Sequence, residues 1–171
     1  MTEKHQAISA ERHYEATAPS DNTSQTMLNR SLVRQTLQLS TGGIMSLLQA
    51  AVASAEAMGV PQCISIVNTE GNLLATVRMD GAQFLSHALA TQKAITAAST
   101  GHPTGVLRPD IELKLAIATS GRLANLRGGL PIVIEHQILG AIGVSSGSGD
   151  QDVAVAEAAI AALQAVMGCT S

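Results

Sequence analysis

Arg78, Asp80, Ser86, His87 and Lys93 fall within sixteen residues of a chain in which only 13% of residues are charged. One residue separates Arg78 from Asp80 at the end of a predicted strand, which places both side chains on one side of it. A planar guanidinium matches a carboxylate in two parallel hydrogen bonds, so Arg78 is a candidate ligand anchor, with Asp80 orienting it or acting as a base. The competing reading is structural: an internal ion pair pinning a hairpin to the following helix, or a subunit contact. Lys93 sits in the otherwise apolar run A-T-Q-K-A-I-T-A. It either partners Asp80 or a bound carboxylate, snorkels to solvent, or serves, desolvated, as a nucleophile or proton carrier. His87 lies near the Lys93 face of the same helix. A second corner, Gly128-Gly129 before Pro131, either offers backbone N–H groups to an anion or only makes a turn.

Other chemistries find less support. Gly140, Gly143, Gly147 and Gly149 do not join a strand to a helix in a βαβ unit, so they are no dinucleotide fingerprint. Ser145 lacks a nucleophile-elbow pattern. Cys63 and Cys169 have no metal-ligand spacing and read as free thiols of a reducing compartment; no metal site is expected. His102 and His136 fall in predicted loops. Phe84 and Tyr14 are the only aromatic residues, and the net charge is −3. Neither stacking platforms nor a basic field is available for nucleic acid. The N-terminus lacks a secretory pattern and no apolar run would span a bilayer, so the expected location is the cytoplasm.

Apolar residues from Ile44 to Met58 recur at helical spacing after Ser40 or Thr41, and Gly59-Val60-Pro61 ends them. Cys63–Asn68 and Leu73–Arg78 read as a hairpin turning at Glu70-Gly71-Asn72. An Ala-rich helix follows over Gln83–Ser99, and a short one over Asp110–Ala118. Leu130–Ile134 and Ile138–Ser145 form a second hairpin turning at Glu135-His136-Gln137, with Gly140 and Gly143 marking a bulge or close backbone approach. Asp150 or Asp152 caps a last helix reaching Val166. Residues 1–30 are polar and without apolar periodicity, a flexible or partner-docked extension; residues 31–171 form the domain. His5 and His13 within the extension make a poor metal site. Helix, hairpin, helices, hairpin, helix implies an α+β fold, an antiparallel sheet with helices packed on it.

R-M-D-G-A at 78–82, K-A-I-T-A at 93–97, G-G-L-P at 128–131 and G-A-I-G-V-S at 140–145 resemble, in order and spacing, the GlcG/HbpS family. This is also called the haem-degrading domain family and is similar to the C-terminal domain of PduO-type proteins. The resemblance covers residues 32 to 167. It implies a profilin-like sandwich, a homo-oligomer from dimer to octamer, and haem as the candidate cofactor, with no other. Members that carry an axial histidine in the first helix differ from this chain, which has none between Leu32 and Gly59. The leading expectation is a small-molecule-binding protein taking haem or another carboxylate-bearing ligand at a pocket of Arg78, Asp80, His87, Lys93, Gly128 and Gly129. The alternative is an enzyme for acid/base chemistry (isomerase, lyase or hydrolase) on a small carboxylic acid, with Lys93 or Asp80 as the catalytic group. A third reading makes the polar motif a purely structural device.

Overall fold

In the computed structural model the chain divides into two units, Met1–Thr36 and Leu37–Ser171. The structure describes Leu32 and residues 36–168, and the fold below is that of the second unit. The expected extension over residues 1–30 lies outside the described residues, as does Cys169.

Each element starts and stops where its local chemistry dictates. Helix α1 (Thr41–Met58) begins at Ser40, whose hydroxyl accepts the Gly43 amide, and ends at Gly59 in the left-handed region at φ 70°. Strands β1 (Cys63–Val67) and β2 (Leu73–Arg78) are joined by a turn in which the Asn68 side chain accepts the Glu70 and Asn72 amides. Helices α2 (Phe84–Thr100) and α3 (Pro109–Ala118) follow. Strands β3 (Gly129–Ile134) and β4 (Gln137–Ser145) meet at a two-residue turn. Its central residues, Glu135 and His136, both have positive φ, as the twist of tight hairpins demands. Gln137 therefore belongs to β4 and not to the turn. Helix α4 (Gly149–Val166) is capped by neither Asp150 nor Asp152. Ser148 caps it, in a reciprocal capping box with Gln151.

The four strands form one antiparallel sheet in the order β2-β1-β4-β3, so the expected α+β architecture is the observed one. Alternation along β1 separates two faces. Ile64 and Ile66 join Ile132, Ile142 and Val144 in a core covered by α1 and α4. Cys63 and Val67 instead face α2, where they meet Ala90, Ala94 and Ala97. The α2 face is built from small residues for a steric reason. A Cβ at Gly143 would collide with the Ala90 carbonyl and stand 2.6 Å from the Ala94 amide nitrogen, and one at Gly129 would stand 2.5 Å from the Lys93 carbonyl. The helix backbone rests directly on the sheet backbone. Gly140 meets the Val67 carbonyl in the same way, beside a register shift between β3 and β4. Both features match the close approach its sequence position implied.

Gly143 and Gly59 should therefore respond differently to alanine. Gly143→Ala forces α2 off the sheet and is expected to cost about 3 kcal/mol or more. Gly59→Ala meets open space and only the left-handed backbone penalty of about 1 kcal/mol. Urea titrations of the two variants check the contrast.

Candidate functional site

Lys93 and Asp152 form a buried ion pair, Nζ to Oδ2 2.7 Å, with both side chains 3% exposed. A second Lys93 proton goes to the Val144 carbonyl at 2.8 Å, and Oδ1 of Asp152 accepts the Gly147 amide at 3.0 Å. Lys93 lies on the buried face of α2 with Ser86, Ala90 and Ala94. Asp152 lies on the buried face of α4 with Val155, Ala156, Ala159 and Leu163. The two helices cover opposite faces of the sheet, and the pair joins them past the end of β4. Gly128 closes over it: a Cβ there, at φ 116°, would stand 2.6 Å from the Asp152 Cβ and 3.1 Å from Lys93 Nζ. The Gly129 amide donates to Thr104 Oγ1 at 2.9 Å. The two glycines exist for this close approach, and the Gly129 donor is not open to an anion.

The carboxylate beside Lys93 is thus Asp152, not Asp80. Arg78 and Asp80 instead line a separate recess of about 550 Å³, walled by Val52, Val60, Pro61 and Met79. Arg78 has no carboxylate partner among the described residues; its guanidinium makes only a long contact, 3.5 Å, to the Ala82 carbonyl. Arg78 and Asp80 do not pair with each other. Lys93, with Asp152, belongs to another recess that Arg78 does not line. One row of the sheet separates the two. Cys63 stands directly across from Arg78 on one side and Ser145 on the other. Burial pushes the Cys63 thiol up; the Arg78 charge pulls it partly back, and Asp152 adds to the rise.

His87 lines neither recess. Its Nε2 meets Thr76 Oγ1 at 3.1 Å, at the end of a polar ladder through Ser65 and Thr91 between the sheet and α2. Thr76 Oγ1 also reaches the Ile64 carbonyl, and Thr91 Oγ1 the His87 carbonyl. Five contacts share three hydroxyl protons, and a fourth if Nε2 carries one. Nε2 is thus engaged with Thr76 and faces neither recess. His102 and His136 are exposed, and no group of three or more His, Cys, Asp or Glu among the described residues is arranged to hold a metal ion. Nor is any described helix long and apolar enough to cross a membrane.

Sequence reasoning missed Asp152 as the lysine's partner, and it missed Gln62. Gln62 is fully buried and its Oε1 accepts the Gly147 amide. A signal for Asp152 was present: it shares a helical face with Val155, Ala159 and Leu163, so a carboxylate there required a buried cation. Gln62, one residue before a strand, offered no such signal.

Residues 39–161 match the family model described as haem degrading protein HbpS-like. The chain is similar to the corrinoid adenosyltransferase PduO of Citrobacter freundii, 37% identical over 74% of this chain but only 39% of that protein. The chain thus spans about two fifths of that relative's length. It is also 33% identical to an uncharacterized 15.0 kDa protein of the dhaT-dhaS intergenic region of Citrobacter freundii, over 78% of this chain and 96% of the other. Among solved structures, the PduOC:heme complex superposes with a TM-score of 0.69 at 32% identity, covering 74% of this chain and 95% of the other.

Two outcomes test the buried pair and its neighbour. Lys93→Met leaves Asp152 charged and unpartnered and is expected to cost about 3–5 kcal/mol; adding Asp152→Leu should recover most of it, as denaturant unfolding would show. Cys63, with its pKa raised in the fold, contributes stability that is complete below the ordinary thiol pKa and is lost as pH rises past it. Peptide mapping after iodoacetamide treatment should find Cys63 protected in the folded protein and alkylated once it is unfolded.

Proposed function

The chain belongs to the HbpS-like family, and from that premise we propose that it binds a small molecule with a carboxylate and an apolar body, haem being the leading candidate. The Arg78 guanidinium carries the reading: it lies along a largely apolar recess whose other charged residues are Glu56 and Asp80, and it is ion-paired to neither. An exposed arginine is well hydrated, but one set against Val52, Val60, Pro61 and Met79 gains from a ligand whose body covers those walls and whose carboxylate meets the fork. Haem propionates and ring fit that description, and the solved relative named as a heme complex supports the choice. Haem would bring its iron chemistry to the recess. This chain's residues would supply the propionate anchor, the apolar wall, and Asp80 at the rim. No histidine lines the recess, so binding would rest on the anchor and on packing.

The same proposal takes the protein to be a cytoplasmic homo-oligomer. Phe84, Leu85, Val106, Leu113 and Ile117 are each more than half exposed, a supply of apolar surface suited to self-association.

Haemin titration monitored at the Soret band tests the reading. Arg78→Ala should weaken binding about 10- to 100-fold, the loss of hydrogen bonds to a charged group. His87→Ala should leave it unchanged. Undiminished binding by the Arg78 variant would remove the anchor from the account.

A further inference from the structure

We propose that the second recess, on the α2 side of the sheet, is a separate binding site for a short aliphatic monocarboxylate. It encloses about 430 Å³ and is lined by Ser86, Ser145, Lys93 and Asp152 at its polar end, and by Leu89 and Leu126. Ser145 is 3% exposed and Ser86 7% exposed, yet neither hydroxyl has a hydrogen-bond partner among the described residues. Neither oxygen is sealed off, since Gln62 Nε2 is the one sealed polar side-chain atom without a partner among the described residues, so both hydroxyls are free to donate to a molecule in the recess. The Lys93 ammonium adds to them. It has three protons and commits two, to Val144 and Asp152, leaving one unassigned.

The charges select a monoanion. Lys93 and Arg127 against Asp152 give the lining itself a formal charge of +1, which Asp150 offsets from outside it. Arg127 stands at the rim, paired to the exposed Asp150, and its guanidinium has donors beyond that pair. A dianion would meet the Asp152 carboxylate without a matching cation. A neutral alcohol would leave the spare ammonium proton and the serine donors without a charged acceptor. Leu89 and Leu126 provide for a few methylenes and no more. Cys63 and its row lie between this site and the Arg78 recess, so the two can be tested apart.

Butyrate is the probe, added to the intact protein and followed by calorimetry and by amide NMR. We expect saturable binding with a dissociation constant on the order of 1 mM, as suits so small a ligand. The perturbed amides should cluster at Ser86 and Ser145–Gly147. Ser86→Ala combined with Ser145→Ala should weaken binding at least about tenfold. Arg127→Ala, at an exposed position, should weaken it several-fold. Arg78→Ala should leave it unchanged even as it weakens haemin binding. The proposal is overturned if butyrate does not saturate, if inorganic phosphate or n-butanol binds as well, or if the wild-type shifts map to the Arg78 recess.

Discussion

A lysine and an aspartate 59 residues apart, enclosed at 2.7 Å, determine how the layers of this protein meet. Removing two charges from water is expensive, and such a pair adds little net stability over well-packed apolar side chains. Its hydrogen bonds give it a structural role instead. Lys93 reaches the Val144 carbonyl and Asp152 receives the Gly147 amide, so α2, the end of β4, the loop after it and the start of α4 share one set of bonds. Gly128, whose carbonyl accepts the Val144 amide, fits against the pair because it has no side chain. A misplaced layer would leave a charge buried without its partner, a far larger penalty than a misfitted methyl group.

The small-residue face of the sheet is the second half of the same design. With Gly129 and Gly143 beneath it, α2 comes close enough for a lysine on its inner face to reach past the sheet's end to α4. A larger residue at either position would lift the helix and lengthen that reach. The Ser65–Thr76–Thr91–His87 ladder works at the same short range, where hydroxyls on sheet and helix can touch. With only one Phe, one Tyr and no Trp in the chain, this layer is held by close backbone packing and short polar contacts, not by bulky side chains.

Much of the architecture was legible in the chain. Helical spacing from Ile44 to Met58, the alternation of C-I-S-I-V, and glycines at 140 and 143 each report on a local rule that the tertiary structure then obeys. The site was legible only in part. Arg78, Asp80 and Lys93 stood out as charges in an apolar sequence, but their grouping depends on the sheet. Arg78 sits on edge strand β2, while Lys93 lies one helical segment later and points toward β4. Asp152 resembled an N-terminal cap because caps and buried ion partners use the same residue type. Only its place on the Val155–Leu163 face distinguishes the two roles. Buried serines such as Ser86 and Ser145 carry no sequence signal, since small polar residues pack tightly whether or not a ligand meets them.

Seating a helix on bare glycine backbone also limits how such a protein can change. The inner end of the second cavity is set by Lys93, Asp152, Ser86 and Ser145, buried groups whose places follow from that close seating, so its depth is inherited with the fold. Any retuning of what it accepts must come from the outer lip, at Gln83, Leu126 and Arg127, where exposed side chains can vary without disturbing the layers. A related protein with a new preference should therefore differ at that lip while keeping an unaltered inner end.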